Sequence, residues 1–303
     1  MSPGHTSLSV EIGGPVHVVD HGGPPGAPPV VCVHGLGGSH ANWHDLAPLL
    51  AQTRRVLAVD LPGHGRTARA GRSAAVRPNV DLLGRLLDEV VGEPVVLLGN
   101  SMGATISVLL AAGTPERVAG LALIGLPMPR RLRERPDPAL ARQIALCAVP
   151  PLATRALTRR RDRLGPVGMI EATLELTTAD ASRVSAEVRE LAASLVGAAG
   201  PDAEAAYVEA ARSLGLTLAR SGAYRAAVAA VDARAIVLQG ALDRLVPPTS
   251  VEQLRALQPG WEVHVLDRIG HVPQIEAPAA TADLLLRWLD ALPARPPARE
   301  LAS

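Results

Sequence analysis

Phenylalanine and lysine are both absent from the 303 residues, so all 30 basic side chains are arginine. With Ala, Gly and Pro abundant, this reads as a biased coding composition rather than a functional signal. No apolar run is long enough to span a bilayer, and MSPGHTSLSVEIGGPVHV lacks the basic start and apolar stretch of a secretory signal. Neither sign of charge is in excess. The 30 basic residues face 29 acidic ones, a net charge of +1, which gives no electrostatic ground for nucleic acid or an anionic membrane as a partner. Only two cysteines occur, Cys32 in an apolar run and Cys147 in an Arg- and Ala-rich helical region. They predict reduced, packed thiols and a cytoplasmic protein rather than a disulfide framework. Metal binding is set aside on the reading that no His-x-x-x-His or paired-cysteine spacing occurs and that the scattered histidines fall in unrelated elements. With no phosphate loop or dinucleotide fingerprint, no cofactor is expected.

What the chain does have is core-forming material: 48% of residues are hydrophobic and 19% charged, enough for one large globular domain. Eight short Val-, Leu- and Ile-rich runs read as strands: LSVEIGG, VHVVDHG, PVVCVHG, RVLAVDLPG, PVVLLGN, VAGLALIGLP, AIVLQGALD and WEVHVLDRIG. From the third onward they are almost continuously apolar, as in a parallel sheet covered on both faces. Segments such as NVDLLGRLLDEVV carry apolar residues three and four apart and predict crossover helices. Between Met128 and Asp232 the alternation gives way to Ala-, Leu-, Arg- and Glu-rich helical periodicity, interrupted at Gly165-Pro166 and Gly200-Pro201.

The expected fold is therefore α/β, a mostly parallel eight-stranded sheet with helices on both faces and a helical lid between strands six and seven. Residues 1–127 and 233–292 form the two parts of the core, 128–232 the lid, and 293–303 a disordered tail.

The informative junction is LLGNSMGATISVLL. A strand-like run meets a helix-like run at Gly99-Asn-Ser-Met-Gly103, where a serine stands between two glycines. A strand that reverses sharply into a helix presents such a serine at the apex, and a side chain at either glycine would strike neighbouring backbone.

At this point the chain resembles the α/β-hydrolase family, in particular its capped members with a serine nucleophile. The resemblance runs from about Val16 to Leu292 and rests on four motifs in the family's order. They are HGLGGSHANW from His34, DLPGHGRT from Asp60, GNSMG from Gly99, and the pair GALDRLVP from Gly240 and GHVPQIEAP from Gly270. It implies Ser101 as nucleophile, His271 as general base and Asp243 as the acid that orients it. It also implies that the backbone N–H groups of Leu36 and Met102 form an oxyanion hole, and that Leu36, Met102, Met128 and the lid wall the substrate pocket.

Each assignment has a competitor. Ser101 could be a small residue in a glycine-bounded turn. Glu276 and Asp267 rival Asp243, although relatives that carry the acid after strand six have nothing matching in IGLPMPRR. Asp60 suits holding its own turn, Trp43 suits packing, and His34 and His64 suit structural hydrogen bonds in their loops. His264 alternates within a strand, and His5, His17, His21, His40 and His44 have no motif support. Residues Pro129 to Leu164 carry ten Arg against three acids, which reads as a solvated helix face because nine acids against five Arg follow from Pro166 to Asp232. Tyr207 and Tyr224 read as pocket or packing residues.

The function expected is hydrolysis of a carboxylic ester or related acyl bond of a small to medium apolar substrate through an acyl-enzyme. C–C bond hydrolysis of ring-cleavage diketones, lactone opening, perhydrolysis and lyase chemistry share the same triad, and a non-catalytic ligand receptor is the alternative of another class.

Overall fold

The computed structural model describes residues 5–129 and 137–292. The eight apolar runs form one sheet: β1 (Thr6–Glu11), β2 (Pro15–Asp20), β3 (Val30–Val33), β4 (Val56–Val59), β5 (Val95–Asn100), β6 (Val118–Ile124), β7 (Ala235–Gly240) and β8 (Glu262–Leu266). Their order across the sheet is β1-β2-β4-β3-β5-β6-β7-β8. β1 and β2 join antiparallel, and every other neighbour from β4 to β8 is parallel. Short α1 (Ala47–Leu50) follows a 3-10 turn at His40–Trp43. Then come α2 (Val76–Leu86) and α3 (Met102–Gly113).

Alternate residues of the parallel strands face opposite ways, and both sets are apolar. Val31, Val33, Leu97, Leu121 and Val237 share one buried cluster with residues of α2 and α3. Val30, Cys32, Val96, Leu98 and Ile236 share the other with Trp43 and with Ala282, Leu285, Trp288 and Leu289 near the end of the chain. Two-sided burial is why these strands read as unbroken apolar runs. Truncating a side chain such as fully buried Leu97 to Ala would cost about 2–5 kcal/mol.

Between β6 and β7 lie α4 (Pro138–Cys147), α5 (Pro150–Thr177), α6 (Ala186–Gly197), α7 (Ala203–Ala219) and α8 (Ser221–Ala229). After β7 come α9 (Ser250–Leu257), then, beyond β8, α10 (Pro273–Glu276) and α11 (Pro278–Asp290). The breaks fall at the two Gly-Pro steps. α5 bends where Gly165 leaves helical geometry (φ +64, ψ 175), and residues 198–202 separate α6 from α7. The Arg-rich run shrinks as a charge surplus: Arg161 pairs with Glu204 at 2.6 Å, while its first cluster, 130–135, lies outside the described residues, as does the 293–303 segment. Among the described residues no helix is long and apolar enough to cross a membrane.

The parallel strands all end at one edge, so the loops after β3, β5, β6, β7 and β8 gather there. In open α/β sheets that edge is where ligands are bound.

Candidate active site

Ser101 follows the last residue of β5 and precedes the first of α3, with φ +54 and ψ −112. A non-glycine residue held there carries about 1–3 kcal/mol of backbone strain. Its N–H donates to Ile124 O at 2.9 Å and its carbonyl accepts from Thr105 N–H at 3.0 Å, which pins the turn to β6 on one side and α3 on the other. The flanking glycines are steric necessities. A Cβ on Gly99 would lie 2.6 Å from the Ala104 backbone of α3, and one on Gly103 would lie 2.0 Å from Val33 O of β3.

Asp243 lies three residues past β7 and His271 five past β8, and Asp243 Oδ2 accepts from His271 Nδ1 at 2.7 Å. Both are buried, at 6% and 4% exposure. Burial alone would push the Asp243 carboxyl up. His271 and the Val246 and Leu245 N–H groups, which both donate to Oδ1 at 2.8 Å, outweigh it and hold the carboxyl below the usual carboxylate range. Gln239 Nε2 donates to the same carboxylate at 3.0 Å. An ionised carboxylate only accepts, so Nδ1 carries the proton and Nε2 is left with its lone pair.

The nucleophile turn and the histidine loop are tied together. Asn100 Nδ2 donates to both Ile124 O and His271 O at 3.3 Å. Gly125, one residue past β6, leaves room for the imidazole: a Cβ there would lie 2.9 Å from His271 Cε1 and Nδ1. This is the stretch where the sequence offers no acid, and the space is filled by the histidine ring. Among the described residues no hydrogen bond joins the Ser101 hydroxyl to His271.

Of the rival acids, Asp267 is exposed. Glu276 is buried and accepts the N–H groups of Ala179, Asp180 and Gly270, so it fastens the segment after α5 to the histidine loop.

The loop after β3 is shaped by His34. Its Nε2 accepts from Leu61 N–H at 3.0 Å, so its Nδ1 carries the proton and donates to Gly35 O at 2.7 Å. Gly38 N–H donates to the same oxygen at 3.1 Å. Because the peptide is planar and trans, fixing the Gly35 carbonyl turns the Leu36 N–H the opposite way. Among the described residues neither that N–H nor the Met102 N–H at the start of α3 has a hydrogen-bond partner, and a helix start favours negative charge. Half-buried Leu36 and buried Met102 and Met128 belong to one apolar cluster, which also takes in Ala206 of α7 and Tyr224 of α8. The Tyr207 ring sits against Gly37, where a Cβ would approach it to 2.9 Å. His64 makes a hydrogen bond to Pro62 O at 3.2 Å, and Trp43 is fully buried in the core.

The alpha/beta hydrolase fold profile matches residues 28–278. The chain belongs to the α/β hydrolase fold family. It is 27% identical to the pimeloyl-[acyl-carrier protein] methyl ester esterase of Aeromonas hydrophila over 260 residues, 85% of this chain and 94% of that protein. To the 2-hydroxy-6-oxo-2,4-heptadienoate hydrolase of Pseudomonas putida it is 41% identical over 101 residues, 32% of this chain and 37% of that one. The chain spans only about a quarter to two fifths of the length of several other curated relatives. Cfl2 of Burkholderia cenocepacia superposes with a TM-score of 0.81 at 20% identity, over 94% of this chain and 96% of that one, which is a likeness of fold.

Within this α/β hydrolase, three contributors escaped the sequence reading: Asn100, Gly125 and Glu276 as the anchor of residues 179–180. Asn100 stands inside the GNSMG motif next to the serine, but its partner lies 171 positions away and nothing local announces it.

Proposed function

We propose that the protein is a serine hydrolase that cleaves a carboxylic ester or related acyl bond of a small to medium apolar substrate. Ser101 Oγ attacks the carbonyl carbon while His271 Nε2 takes the hydroxyl proton, and Asp243 stabilises the imidazolium. The oxyanion is held by the Leu36 and Met102 N–H groups. The imidazolium then gives its proton to the leaving group. Water, activated by the same nitrogen, hydrolyses the acyl-enzyme and restores Ser101.

The observation that carries this reading is the coincidence at one sheet edge of a strained Ser101 and a buried Asp243–His271 pair, bridged by Asn100. Residues 128–232 act as the lid over the core formed by 1–127 and 233–292. The shared packing of α7 and α8 with Leu36, Met102 and Met128 supports that, and makes these three side chains the pocket wall. Cys32 and Cys147 are buried free thiols, in keeping with a reducing cytoplasm, and burial pushes the Cys32 thiol up, away from nucleophilic use.

Assay of a panel of acyl esters tests the assignment. Ser101→Ala should lower kcat by about four to six orders of magnitude while the thermal midpoint stays in place, and an unchanged rate would overturn it. The likeness to a Pseudomonas putida dienoate hydrolase favours C–C bond hydrolysis as the second reading. Turnover of ring-fission dienoates but not of esters, with products identified by mass, would select it.

A further inference from the structure

Five of the nine histidines, the five without a motif, converge on one region. His40 and His44 are four residues apart in His-Ala-Asn-Trp-His, a His-x-x-x-His spacing that removes one ground on which metal binding was set aside, although on this 3-10 turn the two side chains do not share a face. They border a cavity of about 160 Å³ that is also lined by His5, His21 and Arg66. The His5 and His21 ring centroids are 5.8 Å apart, and those of His17 and His40 are 4.9 Å apart.

Hydrogen bonding sorts these rings. Among the described residues, His17, His40 and Asp60 hold three ligand-type atoms within 4.8 Å of one another, whereas no three of His5, His21, His40 and His44 are so placed until their side chains turn. That trio is already satisfied as a proton network. Asp60 Oδ2 accepts from His17 Nδ1 at 2.9 Å, from His40 Nδ1 at 2.8 Å and from Arg66 N–H at 2.9 Å, and His17 Nε2 is engaged with Ser7 Oγ. The consequence for His40 is a fixed tautomer, Nδ1 protonated and Nε2 presenting a lone pair. This is the carboxylate–histidine arrangement that orients metal ligands. His21 is 93% buried by its 7% exposure, and its Nε2 is a buried nitrogen without any hydrogen-bond partner. Asp20, its neighbour in sequence, is committed to Arg55 at 2.7 Å.

We infer that His21, His40 and His44, with His5 as a fourth, form a binding site for a divalent transition-metal ion of the zinc class. Neutral imidazoles select zinc, cobalt or nickel over calcium or magnesium, which need oxygen donors. The buried rings of His21 and His40 are the fixed half of the site. Exposed His5 and half-buried His44 turn in about their side-chain torsions to close it, and exposed Arg66 swings to solvent. An anion is the poorer occupant, since it would meet the lone pair of His40 instead of a donor. Bound there, the ion would clip the start of β1 and the end of β2 to the turn before α1, on the antiparallel side of the sheet.

The test uses the metal alone on the full chain, first stripped with chelator. Titration with Co2+ should give one equivalent of absorbing complex, and Zn2+ should displace it and raise the thermal midpoint. His5→Ala/His44→Ala, a pair on the rim that leaves the core intact, should weaken binding by at least about tenfold, and His21→Leu likewise. His264→Ala, at the exposed pair with Glu262, should change nothing. Failure to bind stoichiometrically, equal affinity in the rim double variant, loss of binding in His264→Ala, or stabilisation by inorganic phosphate in place of Zn2+ would each overturn the site. None of these readouts involves turnover, so the result is separate from the fate of Ser101.

Discussion

Two buried aspartates each grip a histidine through Nδ1, Asp243 with His271 at 2.7 Å and Asp60 with His40 at 2.8 Å. In both pairs Nε2 is left as the basic nitrogen. The surroundings differ. His271 lies over Gly125 beside the Ser101 turn, with unpartnered N–H groups close by, whereas His40 faces other histidines and no strained nucleophile. Asp60 further accepts the backbone N–H groups of His40 and Arg66, so it organises a turn as well as a ring. On the readings proposed above, two similar pairs acquire their chemistry from what the free nitrogen meets: the Ser101 hydroxyl in one case, a metal ion in the other.

Isosteric neutralisation separates the two pairs most sharply. Asp243→Asn should lower kcat by about 10⁴-fold with the fold retained, because the wrong tautomer is presented to Ser101. Asp60→Asn should keep kcat within about tenfold yet cost about 3 kcal/mol of stability, the signature of a broken buried pair. Parallel rate and urea-denaturation measurements decide this, and a large rate loss confined to Asp60→Asn would reverse the roles.

A smaller effect comes from crowding the His271 ring. Gly125→Ala places a methyl 2.9 Å from it and forces alanine to φ +54, so kcat should fall by about a hundredfold through misplacement of the base. Retained activity would show that the ring has freedom to spare.

Much of this was written in local sequence. Strand runs from Pro29 onward are legible because both faces of the sheet are buried, so nearly every residue must be apolar, and Gly99 and Gly103 are legible because no other residue fits. Asn100, Glu276 and the histidine cluster were not. Asn100 and Glu276 find their partners 171 and 97 positions away, the histidines meet only once the first hairpin and β4 are folded, and a single polar residue carries no periodicity. Glu276 read as a rival to Asp243, whereas three N–H groups from two other segments claim it.

The most gradual expected effect is on stability against pH. Burial pushes the His64 imidazole from 6.5 down to about 3. The unfolded chain takes up a proton near 6.5 and the folded one resists until about 3, so this residue destabilises the fold progressively as pH falls between those values. The slope is at most about 1.4 kcal/mol per pH unit. His64→Gln should flatten that part of the profile in urea titrations at successive pH values, and an unchanged slope would assign the loss elsewhere.

The central claim is that Ser101 becomes covalently acylated. Treatment with a fluorophosphonate followed by peptide mass mapping addresses it directly. The account predicts one adduct, on the peptide that contains Ser101, and its disappearance in Asp243→Asn under the same exposure. An unmodified Ser101, or an adduct on a different residue, would contradict it.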